Sequence, residues 1–339
     1  MTLLNLELGE RGYCIAVGAG LLSEAEKHFN LKRRVFIITD AGVPKEYALA
    51  ISEACRESRI YVTPQGEGAK SFSVFEDILK NMLDFNMTRS DAVVAVGGGV
   101  VGDLSAFAAA SYMRGIDFYN VPTTTLSAID SSIGGKCGIN LEKTKNVVGA
   151  FYQPKAVLID TDTLKTLPKR HYAAGLAEAV KMAATSNREL FELFESEDID
   201  EKNIEDVIVR ALKIKKSVVE KDEREAGLRK ILNFGHTFGH GVESAANLGD
   251  LYHGECVAIG MIPLCSENVR KRLVAVLERI GLPTKFTGDT DEALSHAAHD
   301  KKQAGGGIDV IFVEQIGSYK IENMKFEAFS RLIKENLWG

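Results

Sequence analysis

The chain has 339 residues and a formal net charge of −6, with 45% hydrophobic and 26% charged residues. Because domains usually contain about 100 to 200 residues, this length predicts two domains of ordinary globular composition. The acidic balance argues against nucleic acid as a partner, since a phosphate backbone recruits basic surfaces. Any phosphate binding is therefore expected to be local.

The spacing of the cysteines and the hydropathy of the chain indicate in which cellular compartment the protein is expected. The five cysteines are scattered and show no CxxC spacing, which argues against a disulfide framework and a cysteine zinc site. The first residues, MTLLNLELGER, lack a basic region followed by an apolar run. Nor does any later segment approach about 18 apolar residues. We therefore expect a cytoplasmic protein that does not contact a membrane.

Short β-rich segments alternate with helical patterns as far as about residue 160. The predicted strands are NLEL, RVFIITD, RIYVTP, DAVVAVGGG, DFYNVPTT and AVLID. Such alternation predicts parallel βαβ units. Helical patterns then predominate until a late predicted strand, DVIFVEQ. The expected fold is a Rossmann-like parallel-sheet α/β domain over residues 1–160, followed by a mainly α-helical domain over residues 161–339.

A glycine cluster follows one of these strands and precedes a helical pattern. Gly97, Gly99 and Gly102 match GxGxxG in the strand-turn-helix context that the motif requires. Glycines allow the backbone to approach a pyrophosphate, and the helix presents free N–H groups. The pattern predicts dinucleotide binding, with a tight turn that binds no ligand as the alternative.

Two further features support a dinucleotide. RVFIITD ends at Asp40, whose carboxylate can accept hydrogen bonds from ribose hydroxyls, and QGEGAK supplies another glycine turn with Glu67 and Lys70. Asp40 precedes the glycine cluster instead of following it by about 20 residues, so the order is unusual. A P-loop is excluded because neither GEGAKS nor SIGGKCG has the GxxxxGK[ST] spacing.

Charged residues occur where the helical patterns predict burial. In AAGLAEAVKMAA, Glu178 and Lys181 lie three residues apart in an otherwise apolar helix. In the next long helix, Lys215 lies near the middle of an apolar stripe, whereas Lys213 and Lys216 point away. Buried charges are usually paired or coordinated, so these positions indicate an anion site or proton transfer. A structural ion pair and a lysine reaching to solvent are the alternatives.

Three of the seven histidines fall between residues 231 and 260. His236 and His240 are one helical turn apart, but Thr237 follows His236, so the HExxH motif is absent. A zinc site with an open position uses three protein ligands, commonly histidines and a carboxylate. The candidates are Glu178, His236, His240 and His253, with Glu243 and Glu255 in reserve. The pattern does not choose between His240 and His253 as the third ligand.

Several segments together resemble the 3-dehydroquinate synthase family. They are GGGVVGDLSAFAAASYMRG, VPTTTLSAIDSSIGGKCGIN, KNVVGAFYQPKAVLIDTDTLKTLP, AGLAEAVK, RKILNFGHTFGH and HGECVAIGM. They follow the family's order and cover most of residues 60 to 260. A match of this length and order is far more specific than any single motif.

The resemblance implies two cofactors, NAD and a divalent ion. Zn²⁺ or Co²⁺ would be held by Glu178, His236 and His253. The implied NAD contacts are Asp40, Gln65, Gly66, Glu67, Gly68, Ala69, Lys70, Gly99, Val100, Val101, Gly102, Asp103, Thr123, Thr124, Lys136, Lys145, Thr163, Leu164, Lys165 and Thr166. The implied substrate contacts are Arg114, Asp130, Lys136, Asn146, Lys181, Lys215, Arg229, Asn233, His240 and Lys302, the last chosen over Lys301 in a loosely matching segment.

The implied reaction converts 3-deoxy-D-arabino-heptulosonate 7-phosphate to 3-dehydroquinate and phosphate. It proceeds by transient oxidation with NAD, phosphate elimination, reduction, ring opening and intramolecular aldol closure. The resemblance also implies a homodimer, in which Arg114 reaches either its own site or a neighbour's. The alternatives are a 2-deoxy-scyllo-inosose or valiolone-type cyclase, a metal-dependent polyol dehydrogenase, or a catalytically silent binding protein.

Overall fold

A computed structural model describes residues 1–142, 144–246, 250–301 and 307–337, with the side chains of 299–301 excepted. The chain divides into two compact units, Met1–Leu167 and Pro168–Gly339. The expected boundary, between residues 160 and 161, falls just before a 3₁₀ helix, Thr161–Thr166, which belongs to the first unit. Asp160 caps that helix by accepting a hydrogen bond from Asp162 N–H at 3.0 Å. That the units are separate folding domains stays a prediction.

The strands of the first unit form one large sheet and one hairpin. They are β1 (Thr2–Leu6), β2 (Tyr13–Gly18), β3 (Arg34–Asp40), β4 (Glu57–Thr63), β5 (Ala92–Gly97), β6 (Asp117–Pro122), β7 (Lys136–Leu141), β8 (Thr144–Phe151) and β9 (Ala156–Asp160). Within the described residues, the seven-stranded sheet has the order β1-β2-β9-β6-β5-β3-β4, and β7 pairs with β8. Its pairings are parallel except β1 with β2. The predicted Rossmann-like parallel sheet is confirmed.

Helices cover both faces of this sheet. They are α1 (Ala25–His28), α2 (Lys45–Glu53), α3 (Phe72–Asp84) and α4 (Gly99–Ser111). In β3, Phe36 and Ile38 pack into the core that includes residues of α3 and α4. Val35 and Ile37 alternate with them and pack into the opposite core, together with Ile51 of α2. A strand buried on both faces explains why RVFIITD is almost continuously apolar.

The strand order reverses between β3 and β5. From β3 the chain continues to β4 on one side, whereas β5, β6 and β9 extend the sheet on the other side. In open α/β sheets, ligands bind outside the carboxyl ends of the strands at such a reversal. Asp40 is the last residue of β3 and Gly97 the last of β5, so both predicted dinucleotide features lie at this point.

The second unit is mainly helical, as expected. Its elements are α5 (Lys169–Ser186), α6 (Arg188–Ser196), α7 (Ile204–Lys221), α8 (His236–Ala245), α9 (His253–Met261), α10 (Glu267–Ile280), α11 (Thr290–Lys301), β10 (Ile308–Phe312), β11 (Lys320–Met324) and α12 (Phe326–Asn336). Helix α5 is buried from Ala174 to Thr185 and packs against α6, α7 and α9. This central position explains why α5 is apolar around its circumference.

Within the described ranges, no helix is both long enough and apolar enough to cross a membrane.

Candidate active-site residues

The turn between β5 and α4 packs closely against neighbouring side chains. A Cβ on Gly97 would lie 2.7 Å from Val101 Cβ, and one on Gly98 would lie 3.1 Å from Thr124 Cγ2. Helix α4 begins directly after this turn, at Gly99. A helix amino terminus presents N–H groups and a positive dipole end toward an anion. The glycines therefore allow this turn to pack closely against Val101 and Thr124, and they place the amino terminus of α4 directly after β5.

The end of β6 is hydrogen-bonded to this turn, and the ends of β3 and β4 contact each other. Thr123, directly after β6, donates its N–H to Gly97 O at 2.9 Å. Thr124 Oγ1 shares a hydrogen bond with Ser127 Oγ at 2.9 Å. At the end of β3, Asp40 Oδ1 accepts from Gly42 N–H at 2.7 Å, and a Cβ on Gly42 would lie 2.6 Å from Gln65 Cδ. These segments thus lie along the same carboxyl edge of the sheet.

Three predicted site residues lie around the ammonium group of a fourth, Lys70. Lys70 is 3% exposed, and its Nζ donates to Asp103 Oδ2 at 2.7 Å and also contacts Asn146 Oδ1. Glu67 Oε1 lies 3.9 Å from the same ammonium. The family resemblance implies a substrate contact for Asn146 and cofactor contacts for the other three. Sequence patterns did not anticipate that Asn146 pairs with Lys70.

The remaining predicted residues of the first unit are distributed over several segments. Arg114 is exposed and has a left-handed backbone, with φ 67°. Asp130 lies in the π-helical segment Ser127–Ser131, Lys136 is the exposed first residue of β7, and Lys145 lies in β8. The segment from Thr163 to Thr166 lies in the 3₁₀ helix after β9, where Thr166 Oγ1 shares a hydrogen bond with Tyr47 OH at 2.9 Å.

The second unit contains a fully buried carboxylate that faces two histidines. Glu178 of α5 is 0% exposed and Lys181 is 1% exposed, which confirms the predicted burial of both charges. Lys181 Nζ contacts Glu178 Oε2, while Oε1 faces His236 Nε2 at 3.7 Å and His253 Nε2 at 3.5 Å. Both imidazole distances exceed an ordinary hydrogen bond.

This donor set fits a divalent transition-metal ion. Two donors bound at about 2.1 Å to one tetrahedral ion lie roughly 3.4 Å apart, close to the distances from Glu178 to the two histidines. One carboxylate with imidazoles is a ligand set that suits Zn²⁺ and Co²⁺. His240 also lies close, because the ligand atoms of His236, His240 and His253 are all within 4.8 Å of one another.

Hydrogen bonds direct two of these imidazoles toward Glu178. His253 Nδ1 lies 3.0 Å from Glu243 Oε2, and His236 Nδ1 lies 3.2 Å from Phe234 O. When Nδ1–H donates to such an acceptor, Nε2 remains as the ligand atom. Glu243 therefore supports His253 in this structure, although the sequence offered it only as a reserve ligand.

Burial and neighbouring charges shift the pKa values of Glu178, His236 and His253. Burial and then Lys181 hold the pKa of His236 well below its usual range. Burial opposes ionisation of Glu178, yet Lys181, His253 and His236 together bring its pKa well below the ordinary value. Burial also lowers the pKa of His253, but Glu178 and Glu243 outweigh it and raise that pKa to about 10. Glu178 and Glu243 therefore stabilise the protonated imidazole of His253.

The other reserve ligand, Glu255, fixes the start of α9. Its Oε2 accepts from Tyr252 N–H at 2.8 Å, and its carboxylate receives Arg170 Nε at 2.7 Å. The Arg170 guanidinium also lies 4.3 Å from the centre of the Tyr252 ring. Because His253 is the first residue of α9, these contacts hold the backbone that carries it. The sequence did not reveal the role of Arg170.

The predicted cationic residues of the second unit are buried. Lys215 is 4% exposed and Arg229 is 3% exposed, and the predicted burial of Lys215 is confirmed. Asn233 Nδ2 donates to Glu225 Oε1 at 2.6 Å, a partner that sequence reasoning missed because no local pattern joins the two. Lys302 lies outside the described residues, and the side chain of Lys301, at the end of α11, is also outside them.

These observations define a class of protein in which a Rossmann-like unit with a switch-point glycine turn accompanies a helical unit with metal-ligand chemistry. The family models for the 3-dehydroquinate synthase N-terminal and C-terminal domains match residues 60–174 and 175–303. A 3-dehydroquinate synthase from Campylobacter concisus is 40% identical over an alignment of length 333, which covers 94% of this chain and 95% of that protein. One from Sulfurovum sp. is 44% identical, covering 85% and 86% of the two chains. The chain belongs to the 3-dehydroquinate synthase family.

Solved structures of related cyclases share the fold. A 2-deoxy-scyllo-inosose synthase, solved with carbaglucose-6-phosphate, NAD⁺ and Co²⁺, has a TM-score of 0.89 and 27% identity, covering 99% of this chain and 100% of that one. A 2-epi-5-epi-valiolone synthase from Streptomyces hygroscopicus, solved with NAD⁺ and Zn²⁺, has a TM-score of 0.87 and 29% identity over 96% of each chain. A glycerol dehydrogenase from Schizosaccharomyces pombe, with a TM-score of 0.63 and 16% identity, is similar in fold alone.

Proposed function

We propose that this protein is a 3-dehydroquinate synthase, which converts 3-deoxy-D-arabino-heptulosonate 7-phosphate to 3-dehydroquinate and phosphate. The observation that carries the proposal is the buried cluster of Glu178, His236 and His253 beside Lys181. In a chain of this family, such a cluster has a catalytic use, whereas burying these charges serves no evident structural purpose.

Glu178, His236 and His253 are the proposed metal ligands. Their support is the 3.5 Å and 3.7 Å spacing of donors around Glu178 Oε1 and the hydrogen bonds that direct both Nε2 atoms toward it. A bound Zn²⁺ or Co²⁺ supplies Lewis acidity toward a substrate hydroxyl and the ketone derived from it. His240 is assigned to the substrate phosphate, as in the family pattern.

NAD is the proposed organic cofactor. Its support is the position of Asp40 and the β5–α4 turn at the reversal of strand order, together with the NAD⁺ in the related cyclases. The proposed contacts are Asp40, residues 65–70, residues 99–103, Thr123, Thr124, Lys136, Lys145 and residues 163–166. Bound NAD supplies reversible hydride acceptance, so the reaction has no net oxidation.

The chain's own cations provide anion binding and proton transfer. Lys181, Lys215 and Arg229 are at most 4% exposed, and buried cations attract the substrate's carboxylate and phosphate more strongly than exposed ones. A guanidinium binds a carboxylate through two parallel hydrogen bonds, so Arg229 is assigned to that group. Asn233, oriented by Glu225, adds a polar contact.

Further substrate contacts are proposed from the family pattern. In the first unit they are Arg114, Asp130, Lys136 and Asn146, and in the second His240 and Lys302. We further propose a homodimer, as is usual in the family, in which Arg114 serves its own or the neighbouring site. The cytoplasm is the proposed compartment, since five cysteines without disulfide spacing suit a reducing environment.

The decisive experiment supplies the heptulosonate phosphate, NAD and Zn²⁺ and measures phosphate, dehydroquinate and NADH. We expect equal amounts of phosphate and dehydroquinate without NADH accumulation. Glucose 6-phosphate, tested in parallel, should not react, because it lacks the carboxylate that Arg229 is proposed to bind. No phosphate from the heptulosonate would contradict the proposal, turnover of glucose 6-phosphate would favour an inosose synthase, and accumulating NADH would favour a dehydrogenase.

A further inference from the structure

Asn140 makes three hydrogen bonds that join two separate segments of the first unit. Its backbone N–H donates to Lys70 O at 2.8 Å, and its side-chain Nδ2 donates to Glu67 Oε1 at 2.9 Å. Its Oδ1 accepts from the backbone N–H of Asn146 at 2.9 Å. One amide therefore serves the turn after β4 and the β7–β8 hairpin at the same time.

The hairpin is irregular at this residue. Ile139 pairs with Val148 and Leu141 with Thr144, so Asn140 lies opposite a longer stretch of β8 that contains Lys145 and Asn146. Irregularities of this kind re-aim side chains and are frequent beside active sites. Asn146 has φ 55°, in the left-handed region that asparagine tolerates better than most residues. Its N–H thereby points to Asn140.

The same geometry closes a ring of polar groups around a buried charge. Asn146 Oδ1 contacts Lys70 Nζ, which also donates to Asp103. The backbone N–H of Asn140 donates to the carbonyl oxygen of Lys70, and this bond closes the ring. Lys70 is 3% exposed, and a buried ammonium needs fixed partners. Asn140 holds two of the groups that surround it, Glu67 and Asn146, in place.

We propose that Asn140 is a positioning residue that couples the cofactor turn, through Glu67, to the substrate-binding Asn146. This inference rests on the proposed function, because it takes Glu67 as an NAD contact and Asn146 as a substrate contact. Each polar atom of the Asn140 side chain has one role: Nδ2 holds Glu67 in position, and Oδ1 holds Asn146 in position. Substitutions that remove one atom's role should therefore affect one ligand.

Asn140→Asp separates the two roles. The new oxygen faces Glu67 in place of a donor, so like charges repel, while the acceptor for Asn146 N–H remains. We expect the Kd for NAD, measured by calorimetry, to rise about 10-fold or more, with the substrate KM within about twofold. Asn140→Ala removes both roles and should raise both constants. Equal effects of the two variants on substrate KM, or a wild-type Kd in Asn140→Asp, would overturn the proposal.

A double-mutant cycle with Glu67→Gln tests the contact itself. Without the Glu67 charge, Asn140→Asp should change the Kd for NAD by less than about twofold. An undiminished effect in that background would contradict the assigned contact. The cycle needs only NAD binding, so it decides the Glu67 arm even if the protein releases no phosphate from the heptulosonate, a result that would contradict the proposed function alone.

Asn203 provides a matched control in the second unit. It is also half-buried, its Oδ1 accepts from Asp200 N–H at 2.9 Å, and its Nδ2 donates to Glu197 Oε2 at 3.2 Å. Asn203→Asp and Asn203→Ala should leave both constants unchanged. Circular dichroism and thermal unfolding of all variants verify folding, and if Asn140→Ala does not fold, Asn140→Asp and the cycle decide the question.

Discussion

Lys215 lies at the centre of the apolar face of α7, with Ile208, Ala211 and Val218 buried along the same helix. Lys213, two residues away, is exposed. A lysine at such a position loses the hydration of its ammonium group, and this cost is accepted where a buried charge serves binding or proton transfer. The contrast between these two lysines supplies a matched pair for mutation.

We expect Lys215→Ala to lower the rate of phosphate release at least 100-fold, the scale of a lost acid–base or anion-binding group. Because alanine favours the helix, the variant should keep its circular dichroism spectrum and unfold cooperatively. Lys213→Ala should retain wild-type activity. A wild-type rate in Lys215→Ala would remove this lysine from the site.

The identity of the third metal ligand is a second question at the residue scale. His253 faces Glu178 Oε1 at 3.5 Å and is supported by Glu243, whereas His240 is joined to the cluster by ring contacts with His236 and His253. We expect His253→Ala to lose bound zinc and His240→Ala to retain about one equivalent, measured by elemental analysis after gel filtration. The reverse result would exchange the two roles.

Sequence patterns predicted which of these residues are buried better than they predicted which residues contact one another. Burial of Glu178, Lys181 and Lys215 follows from apolar periodicity along single helices, which is readable from the chain alone. The choice between His240 and His253 depends on where α5, α8 and α9 place their side chains in three dimensions. The Arg170–Glu255 contact and the hydrogen bond from Asn140 to Glu67 join residues that are distant in sequence. For the same reason, no sequence pattern predicts them.

At the scale of elements, strands buried on both faces were the most predictable. RVFIITD and DAVVAVG became β3 and β5 because a continuous apolar run between polar ends indicates a central parallel strand. The β7–β8 hairpin was missed, since β8 is largely exposed and carries little hydrophobic alternation. YCIAVG, which forms β2, is a short apolar run, and periodicity alone does not assign such runs.

The carboxylate of Asp222 organises the backbone that follows α7. Asp222 accepts backbone hydrogen bonds from Ala226 at 2.8 Å, Gly227 at 2.7 Å and Arg229 at 2.9 Å. The bonds from Arg229 and Gly227 contribute most to lowering the pKa of Asp222 below its ordinary value. This carboxylate thus orders the backbone that carries Arg229.

The lowered pKa predicts a pH dependence with a definite sign. A group whose pKa is lower in the folded state stabilises fully above its unfolded pKa, about 3.9, and loses this contribution as pH falls through the folded pKa. Asp222→Asn should lower Tm by roughly 1–3 °C at pH 7, and the difference should shrink as pH falls from the unfolded pKa of about 3.9 through the lower folded pKa. A difference that does not shrink as the pH is lowered through this acidic range would contradict the assignment.

The same variant should affect substrate binding. Because Asp222 orders the backbone at Arg229, we expect Asp222→Asn to raise the KM for the heptulosonate phosphate more than it lowers kcat. Asp200→Asn is the control, since Asp200 Oδ1 accepts from Lys202 N–H in another turn of the same unit. An unchanged KM in Asp222→Asn would show that the hydrogen bonds of Asp222 stabilise this segment without affecting substrate binding.

At the scale of the whole molecule, an acidic chain buries several of its cations. The net charge is −6, yet Lys70, Lys181, Lys215 and Arg229 are all at most 4% exposed. Charges in such low-dielectric surroundings interact strongly over short distances and weakly with bulk polyanions. In the second unit, the buried Lys181, Lys215 and Arg229 are therefore consistent with the proposed binding of a small anionic substrate.

The cofactor stoichiometry tests the whole arrangement. If the hydride removed in the first step returns to the same substrate, one NAD per chain supports many turnovers, and phosphate should exceed NAD at least tenfold when NAD is supplied at the enzyme's concentration. Removal of metal with a chelator should stop phosphate release, and Zn²⁺ or Co²⁺, but not Mg²⁺, should restore it, because imidazole ligands favour the former ions. The assay follows phosphate and the absorbance of NADH together. Release that stops at one phosphate per NAD, with NADH formed in equal amount, would mean that NAD is consumed as a substrate and would contradict the proposed cyclase.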